Sequence, residues 1–518
     1  MTRSLRSALA VLLGAALFAN VLVTPARAHV GSPDTWFEGN AGPYPIRVVV
    51  RAPGVVPGLA QISVRVLSGQ PNQVTAQPFA WNAGEHGAPP PDVAKPVPGD
   101  AQLYSVSLWF MVTTSYGVHV VVSGAQGTGM VIVPVQAVPT RRLPLDGPLL
   151  PTLIALGLFL CVGLLTLVGA AIREASLPPG ADAARADRHR ARIGVAVAGV
   201  VLFSALAGGH LWWKNVDRAY ASELYRPFHV STQVAGASGA RVLRLTIDDE
   251  RWHGRRWSPL IPDHGKLMHL FLVREGGMDA FAHLHPAMRD SSQFESSLPP
   301  LPAGLYHVYG DIVHESGFAQ TVSDSVRILE LAPPAGAWAS TDPDDSWFGG
   351  AAAADASGDT KFTLDDGATL VWERGTAPLV ERAEAPLHFR VLAPDGSPAS
   401  IEPFLGMAGH AVLRSDDGAV FAHLHPTGTV AMASQLALEM RTPADSVQGT
   451  LGRRMSQPGA AMPGMPGMTH AGDTLPGEFS IPYGFPRPGH YRLWVQVKRA
   501  GHVQTAAFDL TVLAAKRV

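Results

Sequence analysis

Short runs in which apolar and polar residues alternate recur along most of the chain, interrupted by three longer runs that are apolar throughout. Alternation with period two marks a half-buried strand, because successive side chains leave the backbone on opposite faces. Between the first two apolar runs such stretches fall at 46–51, 61–67, 104–111, 118–123 and 130–135, with Pro or Gly in each gap. They predict a small β-sandwich over 29–146, with 84–99, which holds Pro89-Pro90-Pro91, as a surface loop. After the third apolar run the pattern resumes at 228–234, 241–247, 306–313 and 491–497. The expected fold class is mainly β: three immunoglobulin-like β-sandwich domains plus a two-helix transmembrane hairpin.

The first apolar run, 8–23, follows Arg3 and Arg6 and precedes Ala26-Arg27-Ala28. This is the layout of a secretory signal peptide over 1–28 with a small-x-small cleavage site. Cutting there leaves His29 at the amino terminus, where α-amine and imidazole can chelate one cation together, an arrangement that suits Cu(II). His119, in the strand-like run 118–123, is the partner expected within the same domain. The other two runs, 147–172 and 193–213, hold no Asp, Glu, Lys or Arg. Their lengths, 172 − 147 + 1 = 26 and 213 − 193 + 1 = 21 residues, suffice to cross a bilayer. The loop 173–192 carries Arg173, Arg185, Arg188, Arg190 and Arg192 against Glu174, Asp182 and Asp187, so the positive-inside rule places it in the cytoplasm. The signal peptide demands the same orientation. The expected location is a bacterial inner membrane crossed twice, with the parts before and after the hairpin in the periplasm and His210 at the interface.

One six-residue stretch occurs twice, as Phe281-Ala282-His283-Leu284-His285-Pro286 and as Phe421-Ala422-His423-Leu424-His425-Pro426. The copies are 421 − 281 = 140 residues apart and similar residues flank both. A duplicated domain is predicted, 214–331 and 360–518, joined by a linker at 332–359 rich in Ala, Gly, Pro and Asp. On a strand, Phe, His and His share one face and Ala and Leu the other, with the two His Cα atoms about 6–7 Å apart. Asp417-Gly418 signals a two-residue hairpin turn, which sets Arg414 opposite Phe421 and His410 opposite His425, with His423 diagonal to His410. His410, His423 and His425 then converge on one patch able to hold a metal ion. In the first copy Met268-His269-Leu270-Phe271 stands for Gly409-His410-Ala411-Val412, so His269, His283 and His285 form the matching set. The loop around Gly276-Gly277 is one residue longer there, and a two-residue Gly-Gly turn would instead put His269 opposite Leu284.

The second copy alone carries an insertion, 446–474, with Met455, Met462, Met465, Met468, His470 and a repeated Met-Pro-Gly. Lacking hydrophobic periodicity, it is expected to be disordered, and its thioethers are soft donors of the kind that select Cu(I). The only cysteine, Cys161, lies inside an apolar run. Cysteine-based zinc and iron–sulfur sites within one chain are thereby excluded, and a metal must be held by His, Met, carboxylates or the amino terminus. With 40 Lys and Arg against 42 Asp and Glu the chain is near neutral, which gives no reason to expect nucleic acid.

His29 after the cut, the β-sandwich pattern, the Met-rich segment, and the run Leu392-Ala393-Pro394-Asp395-Gly396-Ser397-Pro398 leading to Gly406-Met407-Ala408-Gly409-His410 together resemble the periplasmic copper-carrier and YtkA-like β-sandwich domains. The resemblance implies copper handling in the bacterial envelope, by sequestration, resistance or delivery, with a copper-dependent oxidase or efflux system as partner. The expectation is a metal-binding protein without catalysis of its own, with Cu(II) at the His sites, Cu(I) at the Met-rich loop and zinc as the alternative ion. Cupins also use His-x-His but place a Glu a few residues downstream, and 286–289 and 426–430 contain none. Two other readings stand beside it: an envelope assembly or adhesion scaffold whose histidines are edge residues, and a zinc hydrolase with three His and an open position for water.

Overall fold

The structure is a computed structural model that describes residues 34–516 except 144–146, 176, 179, 237–240, 254–258, 331–337, 356–357, 386, 443–444, 446 and 457–472. The expected signal peptide, His29, Met462, Met465, Met468 and His470 lie outside the described residues.

Paired β-sheets dominate. In the first segment Asp34–Ala41, Tyr44–Arg51, Gly58–Val66, Asp100–Phe110 and Lys95–Val97 form one sheet, in that order. A second runs Asp92–Val93, Pro71–Ala80, Thr114–Gly124, Gly127–Ala137. Alternate residues of each, such as Ile46, Val48 and Val50 against Val118, Val120 and Val122, fill the space between them. The stretch expected as a loop at 84–99 contributes two of these short strands, which pair with Pro71–Ala80 and Asp100–Phe110. Pro71–Ala80 itself escaped the pattern because its opening residues are polar or Pro; Val74 and Ala76 join the core between the sheets, while Phe79 packs on the other face against Ile132 and Leu438.

Two helices follow, α1 (Leu149–Glu174) and α2 (Arg185–Glu223), each long and apolar enough to cross a membrane by length and composition. The second extends well past the expected end at 213. Gly194 lets the helices approach: a Cβ there would sit 2.1 Å from Ile172 Cδ1. The chain entering α1 and the chain leaving α2 are tied together, since Arg142 pairs with Asp217 at 3.1 Å and Tyr225 N donates to Pro139 O at 2.8 Å.

The two repeats have matching sheets. In the first, Leu260–Ile261, Gly304–His314, His269–Arg274, Ala280–Leu284 and Ser346–Gly349 lie in that order, with Ala319–Ile328 paired to Gly304–His314. In the second, the order is Leu379–Val380, His502–Leu513, Gly489–Arg499, His410–Ser415, Phe421–Leu424. Each sheet packs one face on a smaller sheet of its own repeat. Leu270, Leu272, Ala282 and Leu284 meet Leu243, Leu245 and Phe294, while Ala411, Leu413, Ala422 and Leu424 meet Leu370 and Phe389. The other faces meet each other. Phe271, Val273, Phe281 and Tyr309 of the first repeat form one apolar cluster with Val412, Phe421 and Trp494 of the second. Tyr309 stacks on Phe421 at 3.9 Å, and Phe281 stacks on Trp494 at 4.9 Å. Burying each such ring contributes about 2 kcal/mol.

Three expected features differ. The Asp417-Gly418 reversal closes on the pair Ser415 and Val420, so four residues rather than two turn the chain, with Gly418 at φ 69°. The register is the expected one, Arg414 opposite Phe421 and Val412 opposite His423. The stretch 332–359, expected as a linker, contributes Ser346–Gly349 as an edge strand beside Ala280–Leu284, because Phe348 packs on the apolar cluster between the repeats. Within 446–474, expected to be disordered, Thr450–Met455 is helical. Leu451 is buried against Ile261 and Val313, and the Glu315 carboxylate accepts from the backbone N–H groups of Gly449 and Gly452. A second helix, Met432–Met440, was not foreseen at all.

Candidate metal centre

Alternation puts Phe281, His283 and His285 on one face of the first sheet, and Phe421, His423 and His425 on the matching face of the second. Because those faces meet, the aromatic half of the interface continues into a histidine half. Among the described residues seven imidazoles gather there: His264, His269, His283, His285, His410, His423 and His425. Register brings this about. In the first copy Leu270 lies opposite Leu284 and Phe271 opposite His283, so His269 falls level with His285, as His410 does with His425. The Gly-Gly alternative does not occur: the extra loop residue is absorbed by left-handed conformations at Gly276, φ 86°, and Met278, φ 50°.

The ligand nitrogens do not partition by repeat as expected. Three groups have all ligand atoms within 4.8 Å of one another: His269, His283 and His423; His264, His410 and His425; and His285 with Asp342 and Asp345. The rings of His410, His423 and His425 do converge, at centroid distances of 4.4–5.6 Å. The physical reason for the regrouping is the face-to-face packing, which carries His423 across to the first repeat and brings His264 to the second. His119 joins none of these groups; it is buried in the first segment with its ring 4.5 Å from Phe79.

His264 was missed. It sits at φ 51° in a turn that matches one in the second repeat, where Leu405 has φ 53°; Gly265 and Gly406 follow at φ 80° and 79°. Aligning Pro262-Asp263-His264-Gly265 with Pro403-Phe404-Leu405-Gly406 was the available signal.

Hydrogen bonds fix which nitrogen each ring presents. His269 Nε2 lies 3.2 Å from the Asp263 carbonyl oxygen, which can only accept. His283 Nδ1 lies 2.8 Å from Gln496 Oε1, and the amide nitrogen of Gln496 donates to Ser346 Oγ at 2.7 Å. Both rings therefore carry their proton on the far side if neutral. Their remaining nitrogens, His269 Nδ1 and His283 Nε2, face each other at 3.2 Å as two lone pairs. Only a cation between or beside them makes that arrangement favourable. A separation of about 3.3 Å is what two imidazoles bound at about 2.0–2.1 Å take on a tetrahedral ion.

A proton is a poor candidate for that cation. Burial, reinforced by neighbouring imidazoles, holds His269, His283, His410 and His425 well below the usual imidazole range, and burial also lowers His264. His410 is fully buried with both ring nitrogens unpartnered, and His423 Nε2 and His285 Nε2 are buried and unpartnered as well. Each such orphan costs about 1–3 kcal/mol unless something binds it.

The supporting residues obey an approximate two-fold relation between the repeats. Asp311 Oδ2 stands 3.3 Å from His423 Nδ1, and Gln496 holds His283 Nδ1, so each repeat's long strand orients a histidine of the other. Asp311 and Gln496 correspond, as do Tyr309 and Trp494: 496 − 311 = 185 and 494 − 309 = 185. Asp345 accepts from the backbone N–H of His285 at 2.7 Å and lies 3.1 Å from its Nδ1, leaving Nε2 for the cluster. Carboxylates and carbonyls behind imidazoles are the usual means of fixing a metal-binding tautomer.

A cavity of about 530 Å³ reaches the cluster from one side, with His269, His423 and His425 on its wall. Asp34, Gln136 and Arg141 from the first segment also line it. That segment is anchored to the loop after His425: Glu38 N donates to Thr427 O and Thr429 N to Trp36 O, each at 3.0 Å.

No family model matches the chain, and comparison with curated proteins finds no match. Solved structures share 8–9% identity with it. A putative membrane anchored protein from Corynebacterium diphtheriae aligns over 93% of this chain and 96% of its own, with a TM-score of 0.14. Dimeric latent PorU from Porphyromonas gingivalis aligns over 93% and 34%, at 0.15, and an Escherichia coli alpha-2-macroglobulin over 95% and 24%, at 0.17. The chain thus spans about a third of PorU and about a quarter of the macroglobulin. At these scores the likenesses carry no argument about fold or function.

Proposed function

We propose that this protein binds copper in a bacterial envelope, at a histidine cluster assembled between its two repeats, for sequestration, resistance or delivery to a partner oxidase or efflux system. The supporting observation is the pair of lone-pair nitrogens of His269 and His283 at 3.2 Å, in a pocket where burial disfavours the proton. Imidazole donors alone suit copper, zinc, iron or nickel. Copper is favoured by sulfur close at hand: Met407, three residues before His410, packs with Met432, Met440 and Met455 in one apolar cluster. We read the three sets of paired sheets as immunoglobulin-like, and α1 and α2 as a membrane hairpin holding both flanking parts in the periplasm.

Binding is preferred to zinc hydrolysis because Asp311, the carboxylate on the cavity wall beside His423, is committed to that ring and to Thr321 Oγ1. The test is the bound-metal inventory of protein isolated from its native membrane, followed by uptake of Cu(I), Cu(II) and zinc. Uptake no greater than that of a variant with His410, His423 and His425 all changed to Ala would leave an envelope scaffold as the better description. A preference for zinc with esterase or amidase turnover would favour the hydrolase.

A further inference from the structure

We infer that the cluster holds two metal ions side by side, with the position between them open to the cavity and able to take a small anion; this rests on the metal-binding reading above. Two separate sets of three imidazoles are present, each with its ligand nitrogens within 4.8 Å of one another. Six imidazoles exceed what one four-coordinate ion can use.

The sets also adjoin. His423 of one and His425 of the other have ring centroids 4.4 Å apart, closer than His269 and His283 within a set at 5.4 Å. His410 stacks on His423 across the boundary at 5.6 Å. Neighbouring sets of this kind could hold a pair of ions that shares a ligand, as two-metal sites with ions about 3.5–4 Å apart do.

The cavity supplies the way in. Its wall includes His269 and His423 from the first set and His425 from the second, so a molecule inside it meets both ions. Three imidazoles per ion leave a coordination position free on each, and the positive charge of two ions favours an anion there. Arg141 and Lys266 line the same space.

The experiment uses the full chain in detergent, loaded with Cu(II) and then titrated with azide. Two ions per chain are expected, with an electron paramagnetic resonance signal well below the copper content because the spins couple. Azide should change the absorption spectrum. His264→Ala and His269→Ala should each lower the stoichiometry from two to one. Thr140→Trp, at an exposed position on the cavity wall, should keep both ions and block the azide response. One ion per chain with full signal intensity overturns the pair and leaves the metal reading standing; no bound ion overturns both. Two ions with full, independent signals and no azide response overturn the shared position.

Discussion

His269 Nδ1 and His283 Nε2 stand 3.2 Å apart, each ring directing its other nitrogen to an acceptor behind it. The metal-free protein therefore stores a repulsion that an ion removes. Copper at a free concentration a hundred times its dissociation constant should stabilise the fold by about 2.7 kcal/mol. In His269→Leu the share due to the ion held by His269, His283 and His423 should vanish, while an ion at His264, His410 and His425 still stabilises. Melting temperatures of both proteins, with and without copper, check this, and an equal copper-induced rise in the two would contradict it.

Removing one buried, unpartnered imidazole has the opposite sign without metal. His410→Leu replaces a ring with two unpartnered nitrogens, packed on Phe404, by an apolar side chain of similar size. The metal-free variant should be as stable as the parent or more so, since an unsatisfied buried group is lost. A loss of several kcal/mol on chemical denaturation would mean that His410 has a protein partner.

Asp311 and Gln496 do equivalent work with different charge. Asp311→Ala should weaken metal binding by about 10–100-fold, the usual cost of losing the group behind a ligand. Gln496→Glu should strengthen it, because a carboxylate makes the His283 ring a better donor. Competition with a chelator of known affinity measures both.

Acid should destabilise the metal-free protein in a defined window. Unfolded imidazoles titrate near 6.5, and the folded values of His269, His283, His410 and His425 are pushed well below that by burial. Above about 6.5 neither state takes up protons there. As pH falls below it the unfolded chain binds protons that the folded chain refuses, so stability is lost progressively. Melting temperatures from pH 7.5 to 5.5 should fall, less steeply in His410→Leu; a flat profile would show that the rings are accessible to solvent.

Gly428 is where the first segment meets the second repeat. It has φ 107°, and a Cβ there would sit 2.2 Å from Trp36 O. Gly428→Ala should loosen the joint formed by Glu38, Thr427, Trp36 and Thr429, and expose the first segment to protease, while leaving metal stoichiometry unchanged. Limited proteolysis with a parallel metal count distinguishes this from general unfolding.

Much of the sheet structure could be read from alternation. Phe281, His283 and His285 share a face because the strand period is two, and the second hairpin's register follows from where the chain reverses, even though the turn is four residues and not two. What alternation cannot give is which surface covers that face. The apolar members Phe281 and Phe421 already signalled that it is not left to water, yet nothing local says that the cover is the other repeat. The assignment of His423 and His264 to their partners depended on that. His264 itself sits in a turn, where no periodicity points to it, and Asp345 lies in a stretch whose Ala, Gly and Pro content concealed a strand.

The approximate two-fold arrangement amounts to a dimer whose halves have been fused into one chain. A true homodimer must change both subunits at once, whereas here each counterpart position is free to diverge alone. Asp311 against Gln496, and His264 against Leu405, are such divergences. They make the two halves of the cluster chemically unequal, so that ions entering as proposed would meet two different environments and fill them stepwise.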